Sequence, residues 1–421
     1  MPLTCRGYTI ASMRDLDARN KRILLRLDLN SPLDPATGEI LDDSRLREHS
    51  KTIRELLEAS ASVAIMAHQG RPLSKDFTRL EKHSEALSRL LGLEVSYIDD
   101  VIGPEARRRI RALKPGEVLL LDNSRLLSED FVEAEPKTHA SSIMVRTLAP
   151  LFDYYVNDAF SACHRSQASI VGFPLALPSA AGIVLEEEVR ALERVTRGPE
   201  RPKVFVLGGA KVRDAIKLIN SLHSAGTADE ILTGGLVALA FLVAMGYDVS
   251  RSVERALKEA GVTSEIINEA RRLVGRGAPI RVPIDFLVPH NEGVEVEPAR
   301  GLKRVPMDIG PSTLEYYAAK LRKARIAVFR GPMGVIEDER FRRGTARLIS
   351  EALERGVYTV IGGGHSNVIL SLLPPGLSKR LGHRSLAGGA MLHYLSGEPM
   401  PCLEALSESY RLYWTGDATP V

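Results

Sequence analysis

Residues 203–224 read Lys203-Val204-Phe205-Val206-Leu207, then Gly208-Gly209-Ala210-Lys211, then the charged, amphipathic run from Val212 to Ser224. An apolar run behind Pro202 predicts a buried strand, the glycine pair a tight turn, and the final stretch a helix. The same order recurs outward in both directions. Strand candidates Arg22–Asp28, Ser62–Ala67, Glu94–Ile98, Glu117–Leu121 and Tyr154–Asn157 precede it, and Glu230–Leu232, Ile326–Phe329 and Tyr358–Ile361 follow. Between them lie the helix candidates Asp43–Ser60, Leu80–Leu91, Ser312–Lys323 and Glu339–Arg355. Strand, helix, strand in repetition implies an α/β fold of mainly parallel sheets with helices on both faces. Ligands of such sheets bind beyond the carboxyl ends of the strands, so the loops that follow strands carry the functional weight.

The chain of 421 residues is longer than one core supports, since single cores stop growing at about 250–300 residues. A break is expected near 174–202, where Pro174, Pro178 and the small-residue run Ser179–Gly182 lead into a charged helix, Val184–Val195. The expected division is an N-terminal domain over 1–178, a connecting segment over 179–200 and a C-terminal domain over 201–397. An apolar fraction of 44% and a charged fraction of 26% exclude a disordered, collagen-like or disulfide-scaffold chain. A formal charge of +3, from 56 basic and 53 acidic residues, argues against a nucleic-acid binder. Cys5, Cys163 and Cys402 form no CxxC pair, which argues against a zinc site or a disulfide framework and suits a reducing cytosol. The apolar stretch Gly234–Gly246 falls short of the roughly 20 residues that span a bilayer, and the charged segment before Ile23–Asn30 lacks the apolar run expected of a signal peptide. A cytoplasmic protein, free of membrane and nucleic acid and a monomer rather than an oligomer, is the expectation.

Hydrogen-bonding and basic residues follow successive strands of the first half. Asp28 and Asn30 follow the first, and Arg45 opens the next helix. His68 and Arg71 follow the second strand, Arg125 follows the Leu-rich one, and His164 and Arg165 come after Asn157-Asp158-Ala159-Phe160. If these strands are parallel, four guanidiniums converge on one edge, an arrangement suited to a small polyanion. In the second half glycine turns follow the strands: Gly208-Gly209-Ala210-Lys211, Gly234-Gly235, Gly331-Pro332-Met333-Gly334, Gly362-Gly363-Gly364-His365-Ser366 and Gly388-Gly389. Glycine admits close backbone approach and helix N-termini attract anions, so this set suits a nucleotide, with Lys211 placed to meet a phosphate. Neither GxxxxGK[ST] nor GxGxxG occurs. A polyanion site and a separate phosphate site suggest phosphoryl transfer, with closure of two domains to exclude water.

These residues resemble phosphoglycerate kinase, in the family's order, from Leu25-Arg26-Leu27-Asp28-Leu29-Asn30 to Leu395-Ser396-Gly397-Glu398. Tyr155-Val156-Asn157-Asp158-Ala159-Phe160, Leu207-Gly208-Gly209-Ala210-Lys211-Val212 and Gly331-Pro332-Met333-Gly334-Val335 carry the most specific likeness. The resemblance implies two Rossmann-like three-layer domains joined by a hinge helix, with 398–421 packing back on the first. It implies Mg²⁺-dependent, reversible phosphoryl transfer between ATP and the carboxylate of 3-phosphoglycerate, giving 1,3-bisphosphoglycerate and ADP. By position, Asp28, Asn30, Arg45, His68, Arg71, Arg125, His164 and Arg165 would hold the phosphoglycerate, and Arg45 and Lys211 would serve the transferred group. Gly208, Gly209, Gly234, Gly235, Pro332, Glu337, Gly362, Gly363, Gly364, His365 and Ser366 would form the nucleotide site, with Glu337 on the ribose.

Departures from the family pattern are specific. A second Lys is usual four positions after Lys211, where Ala215 stands, and Lys217 or Arg213 is expected to take its duty. His365 replaces the usual magnesium-linked acid, which leaves the metal's protein ligands open, since imidazole suits Mg²⁺ poorly beside carboxylate oxygen. Gln167, Arg330 and Ala387 also differ from the common pattern. The His365 and Ala215 variants look like those of archaeal members. A catalytically silent nucleotide-binding homologue is the competing expectation, and retention of the arginine set argues against it.

Overall fold

Strands that run as unbroken apolar stretches must be covered on both faces, and helices follow them in sequence, so parallel pairing is the available solution. The computed structural model, which describes residues 2–291, 293–363 and 366–415, has this architecture twice. The chain divides into one unit of Met1–Arg190 with Pro399–Val421 and another of Ala191–Glu398.

In the first unit Arg22–Arg26 (β1), Ser62–Met66 (β2), Val95–Ile98 (β3), Val118–Leu121 (β4), Tyr154–Asn157 (β5) and Ser179–Ala181 (β6) form a parallel sheet in the order β3-β4-β2-β1-β5-β6. Alternate residues point to opposite faces. Ile23, Leu25, Val63, Ile65 and Leu120 pack on one side with Leu46, Ile53 and Leu56 of Ser44–Glu58 (α1) and Leu87 of Glu81–Leu91 (α2). Leu24, Ala64, Met66, Leu119 and Leu121 pack on the other with Ala106 and Ile110 of Pro104–Ala112 (α3). Helix α4, Ile183–Arg197, runs across the division between the units.

The second unit pairs Lys203–Leu207 (β7), Glu230–Thr233 (β8), Ile280–Arg281 (β9), Ile326–Arg330 (β10), Tyr358–Gly362 (β11) and His383–Ser385 (β12) in the order β9-β8-β7-β10-β11-β12, again all parallel. Helices Val212–Ser224 (α5), Gly235–Ala244 (α6) and Ser264–Gly275 (α7) follow β7 and β8. Val204, Val206, Ala327 and Phe329 pack with Tyr317 and Leu321 of Pro311–Leu321 (α8) and Leu348, Ile349 and Leu353 of Arg343–Glu354 (α9). Helix α10, Gly388–Leu395, follows the last strand. An antiparallel insertion (Asp285–His290 between Gly293–Pro298 and Asp308–Ile309) had no counterpart in the sequence reading.

The last helix, Pro401–Tyr413 (α11), buries Cys402, Leu403 and Leu406. Within the first unit, the Cys402 amide donates to Cys163 O at 3.1 Å, and Ser409 Oγ accepts from the Ser179 amide at 3.0 Å. All three cysteines are buried and unbridged. No described helix is long and apolar enough to cross a membrane.

Candidate active site

The first-unit loops leave β1, β2, β4 and β5 at one edge because those strands are parallel neighbours. Leu27 and Leu29 are fully buried, which turns the alternate residues Asp28 and Asn30 to the loop side. Arg45, in the first turn of α1, pairs through Nη1 with Asp28 Oδ2, and Ser161 Oγ donates to the same oxygen. Burial alone would raise the Asp28 carboxyl. The Arg45 guanidinium and the Ser161 hydroxyl outweigh it and hold the group well below the usual carboxylate range. Asp28 is therefore an anion at neutral pH, already paired.

Arg26 lies at the end of β1 with no exposure, and sequence reasoning did not assign it. Its Nε donates to Ser169 Oγ at 3.0 Å and its Nη2 lies 2.8 Å from His68 Nδ1. A guanidinium only donates, so Nδ1 accepts and the His68 proton sits on Nε2. Burial first, then the charges of Arg26 and Arg125, push His68 well below its ordinary 6.5. His68 is a neutral donor at pH 7.

Arg125 is 5% exposed. Its Nη1 reaches Gly70 O, but Nε and Nη2 are buried without a hydrogen-bond partner. Burial, then the nearby Arg165 and Arg26, lower its pKa to about 10. Arg165 is shifted down by burial and by Arg71. Arg71 is exposed, and its charge acts on both Arg125 and Arg165. Asn30 Oδ1 accepts from the Gly70 amide at 2.8 Å, which ties the loop after β1 to the loop after β2. His164 is half-buried beside Arg165 in sequence. The strand ends thus gather Arg26, Asp28, Arg45, His68, Arg71, Arg125 and Arg165. Arg26 could have been found from sequence as the one charge inside an otherwise apolar strand run.

A second buried histidine contributes to the acid limb of stability. His83 has no exposure and faces Gln69 Oε1 through Nε2 at 3.2 Å; burial lowers its pKa to about 4. The folded value lies below the unfolded 6.5, so the unfolded chain binds more protons between the two. Stability is present above 6.5 and is lost as pH falls toward 4. We expect first-unit stability to drop by on the order of 3 kcal/mol across that window, and His83→Gln to flatten the drop. Urea titrations at pH 7 and pH 4.5, followed by the fluorescence of the single Trp414, check this; equal pH dependence in both proteins would contradict it.

In the second unit the loops after β7, β10, β11 and β12 surround a cavity of about 520 Å³. Gly208, Gly209, Lys211, Asp214, Arg330, Pro332, Gly362, Gly363, Gly388 and His393 line it over an apolar floor of Phe329, Ile349, Ile361, Ile369 and Leu392. Not every glycine faces this space. The Gly209 amide donates to Pro332 O at 2.8 Å, the Gly235 amide to Met333 O at 3.0 Å, and the Leu236 amide to Gly209 O at 3.1 Å. A Cβ on Gly235 would come within 2.8 Å of the Gly209 amide nitrogen, and one on Gly234 within 2.9 Å of Met333 Cα. Gly234 and Gly235 thus serve the packing of one loop on another. Gly363, at φ +125°, has only a backbone nitrogen 4.0 Å from such a Cβ and does face open space.

Lys217 and Arg213 are not brought to this cavity. They line a different one, about 590 Å³, with Asn220, Glu269, Arg272 and Arg276 between α5 and α7. Lys217 lies one turn further along α5 than Asp214 and borders the α7 side, whereas Asp214 borders the cavity of Lys211. Ala215 is buried. Lys217, expected from sequence to take over the missing lysine's duty, thus lines a cavity other than that of Lys211, and Asp214, unassigned from sequence, is the only carboxylate among the described lining residues of the latter. Glu337 is exposed and does not line the cavity. Gly364 and His365 lie outside the described residues, as does the side chain of Ser366.

The phosphoglycerate kinase family model matches residues 13–398. The chain belongs to the phosphoglycerate kinase family. It is 54% identical over 98% of its length to the phosphoglycerate kinase of Aeropyrum pernix, covering 99% of that protein. It is 49% identical over 95% to that of Saccharolobus solfataricus, covering 98% of it. Among solved structures it matches a Pyrococcus horikoshii phosphoglycerate kinase with a TM-score of 0.88 and 38% identity, over 96% of this chain and 100% of that one. The Coxiella burnetii phosphoglycerate kinase gives 0.77 and 30%, over 95% and 99%. The two solved structures thus match the fold described above over nearly the whole chain.

Proposed function

We propose that the first-unit cation cluster holds 3-phosphoglycerate and that the glycine-lined cavity of the second unit holds the phosphates of ATP or ADP. The reaction is the reversible transfer of a phosphoryl group between ATP and the carboxylate of 3-phosphoglycerate. A carboxylate oxygen forms the new bond to the γ-phosphorus as the bridging bond to the β-phosphate breaks; ADP leaves, and 1,3-bisphosphoglycerate remains. No proton has to be removed, because the attacking carboxylate is already ionised at neutral pH. The protein's task is to position the reactants and neutralise charge on the group in flight.

Each residue's state fits that task. Asp28 is ionised and paired, so it orients Arg45 rather than accepting a proton. His68 is neutral with its proton on Nε2, so it donates a hydrogen bond without adding a charge. Arg125 and Arg165 meet the substrate's anionic groups. Arg45 stabilises the phosphoryl group in transit, and Lys211 holds it on the nucleotide side.

Mg²⁺ suits the donor set modestly. It binds through one or two carboxylates, substrate phosphates and several waters, and Asp214 is the one described carboxylate on the cavity wall. Asp214 would hold it, and the ion would neutralise phosphate charge when bound. Among the described residues no group of three His, Cys, Asp or Glu could hold a metal by itself.

The observation that carries the reading is Arg125, buried beside Arg165, Arg26, Arg71 and His68, with Asp130 offsetting part of their charge and two of its nitrogens unpartnered. Purified protein with MgATP should form ADP in proportion to 3-phosphoglycerate and not to 2-phosphoglycerate. ADP formation independent of 3-phosphoglycerate, or none, would contradict it.

A stability trade-off follows. The folded pKa of Arg125 lies below the ordinary 12.5, so its charge opposes folding at every pH below about 10. Arg125→Gln should therefore raise the melting temperature of the ligand-free first unit while abolishing the further rise that 3-phosphoglycerate gives the wild type. Thermal melts followed at Trp414 read both effects, and a lowered ligand-free melting point would overturn the argument.

A further inference from the structure

Strand β10 ends at Arg330, in the middle of the second sheet. In register it sits opposite Leu207 of β7 on one side and Gly362 of β11 on the other. The next residues of those neighbours, Gly208 and Gly363, have no side chains, so the guanidinium has room at the carboxyl edge of the sheet. It lines the same cavity as Lys211. Nη2 donates to Gly388 O at a long 3.3 Å, and Nε is buried without a hydrogen-bond partner. No carboxylate forms an ion pair with it among the described residues; Asp214, across the cavity, is the acid whose charge it feels. Burial lowers its pKa below the ordinary 12.5.

A guanidinium has five N–H donors, and burying them unsatisfied is costly. A purely structural role, a strap from β10 to the start of α10, would use the Gly388 contact alone. It would leave Nε unexplained and would be served as well by a neutral donor. Helix α5 offers no alternative cation on this side, because Ala215 is buried and Lys217 faces elsewhere. An incoming anion would satisfy the open donors and offset the charge.

We propose that Arg330 is the second phosphate-binding cation of the nucleotide site, acting with Lys211 on the phosphate chain. This rests on the reading of the glycine-lined cavity as the nucleotide site. Calorimetric titration of Arg330→Asn and Arg330→Lys with adenosine, ADP, ATP and 3-phosphoglycerate tests it. Arg330→Asn should weaken ADP and ATP by about 10- to 100-fold, the span expected for a lost charge-assisted contact, and leave adenosine and 3-phosphoglycerate unchanged. Arg330→Lys should recover part of the loss, and it keeps the buried charge should the Asn variant not fold.

Unchanged ADP and ATP binding in Arg330→Asn would overturn the proposal, as would an equal loss of adenosine, which would mark Arg330 as a shaper of the cavity. For Arg330→Lys read alone, ADP binding as tight as the wild type together with weakened adenosine would overturn it. Lys211→Ala separates the two levels. If it weakens ADP while Arg330→Asn does not, only the role of Arg330 fails; if neither does, the assignment of the cavity fails.

Discussion

Arg45→Ala is expected to lower kcat by about 10²–10³-fold, the usual effect of removing one donor aimed at transition-state charge. The KM for 3-phosphoglycerate should change far less than kcat, because Arg125 and Arg165 remain to bind the ground state. A second consequence separates this from general damage. Asp28 is 3% exposed, and burial by itself would raise its pKa. With Arg45 present the folded carboxyl lies below its unfolded value, so its stabilising contribution is full above about pH 4 and is lost as pH falls through the folded value. Without Arg45 that contribution shrinks at neutral pH, and Asp28→Asn in the Arg45→Ala background should restore stability but not turnover. A kcat within a few-fold of wild type in Arg45→Ala would contradict the role assigned to it.

Asp158→Ala is expected to cost the first unit about 3–5 kcal/mol, the range for stripping a buried charge of its site. Asp158 has no exposure. Its Oδ2 accepts from His49 Nδ1 at 2.8 Å and Thr52 Oγ1 at 2.6 Å, and its Oδ1 from the amides of Val184 at 2.8 Å and Leu185 at 3.2 Å. One side chain at the end of β5 thus fastens α1 and supplies the anion at the N-terminus of α4, where helix amides lack partners. The other face of His49 is used as well, since the Asp28 amide donates to Nε2 at 3.3 Å. Removal leaves four donors buried. Urea midpoints followed at Trp414, which packs against the first-unit core, should fall accordingly. Asp158→Asn, which keeps some acceptors, should fall less; a loss below about 1 kcal/mol in the Ala variant would show that water replaces the carboxylate.

The long elements were legible in the sequence because their apolar periods are unambiguous. Tyr154–Asn157 and Val212–Ser224 appear in the structure with the boundaries read from the residues. Strands β6, β9 and β12 were missed because two or three residues are too short to show a period, and Ser179–Ala181 read as part of a small-residue connection. Convergence of Asp28, Arg45, His68, Arg125 and Arg165 followed from parallel pairing and could be argued from strand order alone.

What packing decides could not be read that way. Arg26 stands out in the sequence as a charge within an apolar run, but its burial beside His68 is decided by packing. The glycines all looked alike, although Gly234 and Gly235 relieve contact with Met333 and Gly209 while Gly363 borders open space. Lys217 is near Lys211 in sequence, yet it lines another cavity. Asp214 borders the first cavity from the first turn of α5, and Arg330 from the end of β10.

Hydrogen–deuterium exchange with each substrate alone tests the assignment of the two sites most directly. We expect 3-phosphoglycerate to slow exchange in the loops at 28–31, 68–71, 122–126 and 158–166, and MgADP to slow it at 208–214, 330–334 and 388–392, each leaving the other set at its ligand-free rate. Slowing at 208–214 by 3-phosphoglycerate alone, with the arginine loops unaffected, would contradict it.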